Sequence, residues 1–326
     1  MIELSVLDLV TVREGGSVGE ALADAAALSA CAEAAGYKRY WVAEHHAMDG
    51  VAGGAASVVL AHIGHATTTI RIGSGGIMLP NHNPFVIAEQ FGTLDALFPG
   101  RIDLGLGRAP GAEARFGQAL RNDLARAAEN FPHDVVELRA LLTGEPELPI
   151  RATPGLGANV ELWMLGSSLF GAQLAAMLGM PYAFASHFAP DYLDQALETY
   201  RRQFRPSPWL DRPHVMAAMT VIAADDDEEA ALLATSMDQS FVALRSGNPG
   251  RLKPPVPGYR ASLPPGQLAM LEHMRQASAV GGPEKVRADI ARFIERTAAD
   301  EIIVSGATFD PAKRRRSLEI TARAIA

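Results

Sequence analysis

Eight short, nearly unbroken apolar runs punctuate this chain, centred near Ser5, Trp41, Ile72, Leu104, Met164, Phe184, Met216 and Ile303. Most are followed by a stretch with apolar residues at helical spacing. Strands buried on both faces read as continuous apolar runs, and amphipathic helices between them cover a parallel sheet. Eight strand–helix units close naturally into a (β/α)8 TIM barrel with its helices outside. That is the α/β fold the pattern predicts, as one domain over residues 1–326.

Helix ends are marked clearly. Ser17 and Glu20 have the spacing of a capping box, and the helix they open should run to Gly36, a residue suited to a left-handed C-terminal turn. Asn83 and Pro84 supply a cap and a first-turn proline for a helix that stops near Phe98-Pro99-Gly100. Gly282 and Pro283 repeat the arrangement. Another helix should start near Ser168 and stop at Gly179.

Two insertions break the beat, after the fourth and the seventh strands. The first spans about residues 110–158 and contains the turn region Thr153-Pro154-Gly155-Leu156-Gly157. The second, residues 246–267, holds six prolines and four glycines, too many for a regular element. It reads either as a mobile lid over the barrel mouth or as a disordered surface excursion.

Composition narrows the function classes. Hydrophobic residues make up 48% and charged residues 20%, and no apolar run reaches the roughly 20 residues of a membrane span. The N-terminus lacks a signal-peptide pattern, so a soluble, cytoplasmic protein is expected. Cys31 is the one cysteine, which excludes internal disulfides and cysteine-based zinc clusters. The net charge of −8 argues against nucleic acid or an anionic membrane as the main partner. The basic run Lys313 to Arg316 reads as a solvated helix face, and Asp225 to Glu229 as acidic residues at a helix N-terminus.

In such a barrel ligands bind where the strands end, so the residues just after each apolar run carry the functional signal. After the second strand come Glu44, His45 and His46; after the third, Gly75 and Gly76, then Asn81 and His82; after the fourth, Gly105 to Gly111 with Arg108; after the fifth, Gly166-Ser167-Ser168; after the sixth, Ser186 and His187. A glycine pair in a strand marks a bulge, a barrel corner or a closely approaching ligand, here a flat one. Gly166-Ser167-Ser168 puts backbone N–H groups at a helix N-terminus, where a phosphate is favoured, although serines are also ordinary caps. Arg108 could add a charge-assisted contact.

Other chemistries find less support. Adjacent histidines on an extended segment point to opposite sides, so His45 is placed in the site and His46 is read as structural. His62 and His65 could share a helix face, but nothing joins them at a zinc spacing. No metal is expected, and a metal hydrolase is the competing enzyme class. The glycines around Arg108 do not match the dinucleotide fingerprint, and no Gly-x-Ser-x-Gly elbow occurs. A binding protein without turnover stays open, because fold alone does not establish a reaction.

Trp41 to His46, Gly73 to Pro80 and Gly100 to Arg108, in this order and spacing, resemble the bacterial luciferase-like flavin-dependent monooxygenases. The resemblance spans essentially the whole chain and is nearest to the single-subunit oxidoreductase branch. It implies reduced FMN as cofactor, supplied by a separate NAD(P)H-dependent flavin reductase, with a deazaflavin as the alternative. It also implies molecular oxygen and a small organic substrate, a homodimer, and a mobile loop at 246–267. By the same resemblance, Gly75 and Gly76 flank a cis peptide against the isoalloxazine ring. His45 would act as general acid/base near the reacting edge. Arg108 and Ser168, with the backbone near Gly171, would hold the phosphate, and Ser186 and His187 would lie beside the flavin. Gly107 stands where the luciferases carry a cysteine, and Ser167 where they carry an acidic residue. Both departures bear on the light reaction itself.

Overall fold

The computed structural model describes residues 2–108, 119, 123–145 and 147–325. Ala109, Pro110 and Gly111, the end of the glycine-rich run after the fourth strand, lie outside the described residues, as does most of the chain up to 122.

The strands are β1 (Glu3–Asp8), β2 (Arg39–Val42), β3 (Arg71–Met78), β4 (Ile102–Gly107), β5 (Glu161–Gly166), β6 (Tyr182–Phe184), β7 (Val215–Ala223), β8 (Ser278–Gly281) and β9 (Glu301–Ser305). All eight predicted strand centres fall inside one of these. Parallel pairing runs from β1 through β7, continues from β7 to β9 and returns from β9 to β1, closing an eight-stranded barrel. The ninth strand was not expected. β8 pairs with the far half of β7, Thr220–Ala223, beyond the part, Val215–Ala217, that pairs with β6. At nine residues, β7 is long enough to serve both neighbours in succession.

Around the barrel lie α1 (Val18–Ala34), α2 (Ala56–Ala66), α3 (Pro84–Leu97), α4 (Leu124–Thr143), α5 (Leu169–Leu178), α6 (Leu193–Gln203), α7 (Asp227–Arg245), α8 (Pro265–Met274), α9 (Pro283–Thr297) and α10 (Pro311–Ile325). Their ends follow the local chemistry. Ser17 and Glu20 form the reciprocal capping box of α1, and Asn83 accepts the Phe85 amide at the start of α3. Helix α6 buries Leu193, Ala196, Leu197 and Tyr200, a stripe at helical spacing facing the barrel.

Leu7, Trp41, Ala43, Trp163, Ala183, Met216, Ala218 and Ile303 form a separate buried cluster drawn from the strands and strand ends alone, which fills the lumen. Trp41 and Trp163 meet edge to face within it, their centroids 5.4 Å apart. Below them, at the N-terminal ends of the strands, Arg39 bridges three carboxylates: Asp103 at 2.9 Å, Glu301 at 3.1 Å and Glu161 at 3.1 Å. The Trp41 indole N–H donates to Asp103 at 2.9 Å. This charged floor leaves the opposite, C-terminal face for ligand chemistry.

Two expectations about charged and proline-rich runs need correction. Arg314 is not on a solvated face: its guanidinium donates to buried Asp8 at 2.8 Å. Its neighbours reach the acidic run, Lys313 pairing with Glu229 and Arg316 with Asp225. Likewise 246–267 contains regular structure, a 3-10 turn at Tyr259–Ser262 and the start of α8 at Pro265. Leu252 is buried and bonds both ways to the loop after β1, its N–H to Val12 O and its carbonyl from the Glu14 N–H. Arg251 donates to Asp49 at 3.0 Å and to Gly16 O at 2.8 Å. The segment is therefore a strap docked on the loops that follow β1 and β2.

Candidate active site

The glycine pair lies where β3 and β4 change register, between Ser74 and Ile77, and the Gly75–Gly76 peptide is cis. Both glycines sit close against the protein's own atoms. A Cβ on Gly75 would stand 2.6 Å from Leu7 Cδ1, and one on Gly76 would stand 2.6 Å from the Gly105 carbonyl oxygen. Both residues are half-buried, whereas Ile72, Gly73 and Ser74 before them are buried, so the strand opens to the C-terminal face at this point.

His45, also half-buried, follows β2, the neighbour of β3. Burial pushes its imidazole below the ordinary value, the Glu44 charge opposes this, and His46 adds to the lowering. His187, on the loop after β6, is close enough to His45 to feel its charge. Burial and then the charge on His45 push its ring down to about 4. Its Nδ1 is buried and has no hydrogen-bond partner among the described residues. A buried nitrogen of this kind is the sort of group a ligand's polar edge can satisfy.

Ser186 precedes His187 on the same loop. It is fully buried, and its hydroxyl donates to the Ala218 carbonyl at 2.6 Å. It ties the end of β6 to β7.

At the end of β5, Ser168 caps α5 in an extended conformation, yet its side chain makes no cap hydrogen bond. Among the described residues no side chain accepts from the first amides of α5, which gives a helix N-terminus suited to an anion. Gly166 and Gly171 pack closely, a Cβ on either lying 3.5 Å from the other's Cα, and Ser167 is half-buried between the strand and the cap. Arg108, at the end of β4, is exposed, with its guanidinium 4.2 Å from the centre of the Phe170 ring on the first turn of α5. A cation is therefore held beside the helix N-terminus.

One cluster was not read from the sequence. Glu44 Oε1 accepts from Nε2 of His46 and, at 2.7 Å, from Nε2 of His82, while Oε2 accepts the Met78 amide at 3.1 Å. Burial would raise this carboxyl, but the bonds and charge from His82, the bond from His46 and the Met78 amide hold it below the usual carboxylate range. The signal lay in adjacent strand ends, Glu44-His45-His46 after one and His82 after the next. Spacing along the chain, 38 residues, conceals it.

On its C-terminal face the parallel barrel gathers a glycine-walled strand end, two half-buried histidines and a cation-flanked helix N-terminus. The sequence model of the luciferase-like monooxygenases matches residues 2–301, and the chain belongs to that family. A luciferase-like monooxygenase of Escherichia coli (strain K12) is 48% identical over 320 residues, 98% of this chain and 96% of that protein. The N-acetyl-S-alkylcysteine monooxygenase of Bacillus subtilis (strain 168) is 34% identical over 253 residues, 76% of this chain and 75% of that protein. The crystal structure of apo-MsnO8 is 33% identical with a TM-score of 0.93, covering 99% of this chain and 98% of that one.

Proposed function

We propose that this protein is a monooxygenase that binds reduced FMN on the C-terminal face of its barrel and uses molecular oxygen on a small organic substrate. The observation that carries the reading is the pairing of an uncapped α5 N-terminus with the Arg108 cation, on the same face as His45 and the glycine wall. A flavin needs such a set: a charge-assisted seat for its phosphate and an open wall for its ring.

In this reading Arg108, Ser168 and the backbone of Gly166, Ser167 and Gly171 hold the phosphate. Gly75 and Gly76 wall the ring, and His187 presents Nδ1 to its polar edge. Reduced FMN, when bound, supplies the electrons that activate oxygen. His45, its imidazole pushed below the ordinary value by burial, accepts and returns a proton. The 246–267 strap acts as a lid that excludes water. The whole chain, 1–326, works as one cytoplasmic barrel domain, as a homodimer, and receives reduced FMN from an NAD(P)H-dependent reductase. Among the described residues no helix is long and apolar enough to cross a membrane, which agrees with this setting.

The test is oxygen uptake with such a reductase and a substrate panel opened by N-acetyl-S-alkylcysteines, the class named in the Bacillus subtilis relative. Substrate-dependent uptake with labelled oxygen in the product supports a monooxygenase. Hydride transfer to a deazaflavin without oxygen consumption would instead make the protein a dehydrogenase. Tight flavin binding with no turnover on the panel would leave a flavin-binding protein.

A further inference from the structure

Glu44 is 1% exposed and stands one residue before His45. A carboxylate only accepts hydrogen bonds, so His46, His82 and the Met78 amide all present N–H groups to it. These donors come from two places. His46 lies on the same strand end as Glu44, whereas Met78 and His82 lie at and just beyond the end of β3. One side chain thus joins the ends of two adjacent strands.

Two histidines and a carboxylate could instead hold a metal ion. The spacing decides against it. Two ligands on one tetrahedral zinc, each at ~2.0 Å, lie roughly 3.3 Å apart. His82 Nε2 is 2.7 Å from Glu44 Oε1, a direct hydrogen bond with no room for an ion between them.

We propose that Glu44 is a positioning residue of the flavin site, an ionised anchor that ties the end of β2 to the end of β3 and so fixes His45 relative to Gly75 and Gly76. The claim rests on the reading that His45 and the glycine pair face the flavin. Its electrostatic consequence does not. The titratable groups that act on His45 are Glu44 and His46 on its own strand end, while His187, on the loop after β6, is a group that His45 itself acts on. Glu44 is the anion of that set, so it is the group that favours a proton on His45.

The experiment compares Glu44→Gln, His82→Leu and His82→Gln with the wild type. His45 is titrated by NMR in the apo protein, and reduced-FMN affinity and the pH profile of single-turnover oxidation are measured on the loaded enzyme. In Glu44→Gln, His45 should titrate lower by about one pH unit, with the pH profile moving in the same direction. Reduced-FMN affinity should fall about tenfold. His82→Leu, which loses its donor, should weaken flavin binding, and His82→Gln, which keeps an N–H donor, should recover part of that loss. Unchanged titration, affinity and profile in Glu44→Gln would overturn the proposal, as would a tight one-to-one Zn2+ site abolished by that change. Should Glu44→Gln fail to fold, the two His82 variants decide, and equal behaviour of Leu and Gln refutes the anchor. Failure of the wild type to bind reduced FMN would remove the flavin reading, while the His45 titration still decides whether Glu44 acts on it.

Discussion

At the scale of single residues, the account assigns different jobs to side chains that all sit at strand ends. Replacing His45 with Ala should slow the chemical step about 100-fold or more while leaving flavin affinity little changed; single-turnover kinetics that match the wild type would refute the role. Arg108→Ala should weaken FMN about tenfold and riboflavin hardly at all, because only FMN brings a phosphate. Equal losses for both ligands would mean that Arg108 serves the ring or the fold. His187 makes a pH prediction. Its folded value of about 4 lies below the ~6.5 of an unfolded histidine, so between these limits the unfolded chain binds a proton that the folded chain refuses. Its contribution to stability is complete above about pH 6.5 and drains away as pH falls toward about 4. The urea midpoint of the apo protein should therefore drop more between pH 7 and 5 in the wild type than in His187→Gln, and equal drops would contradict the assignment.

At the scale of elements, the glycine wall shows how a local exception serves the whole. Gly76→Ala sets a Cβ against a backbone oxygen that cannot move aside and should cost about 1–3 kcal/mol in urea unfolding. Gly75→Ala meets the far end of the Leu7 side chain, which can turn away, and should cost less. Comparable costs would mean that the two neighbours are equally rigid. The eight barrel strands were legible because each is centred on a mainly apolar run, and the helix ends because Ser17, Asn83, Gly179 and Pro283 act within one turn of themselves. What stayed hidden was long-range. β8 is four residues long and exists only because β7 extends past its barrel partner. The pairing of Lys313 and Arg316 with the acidic run, and of Glu44 with His82, joins residues far apart in the chain. Local patterns carry no sign of such pairs. For the same reason nothing nearby in sequence reveals that the Ala218 carbonyl takes the Ser186 hydroxyl.

At the scale of the molecule, the barrel separates stability from chemistry along its axis. The floor around Arg39, Asp103 and Glu301 is buried and ionic, and removing one partner strands the other charges. Asp103→Asn should cost about 3 kcal/mol of stability yet leave reduced-FMN affinity unchanged, because the site is at the other end. A large loss of affinity in a folded Asp103→Asn protein would show that the two ends are coupled. The most direct test of the central claim is an anaerobic titration of the purified protein with reduced FMN, oxidised FMN and reduced deazaflavin. Reduced FMN should bind most tightly, and Arg108→Ala should weaken it. Binding of none of the three would contradict a flavin site on this barrel face.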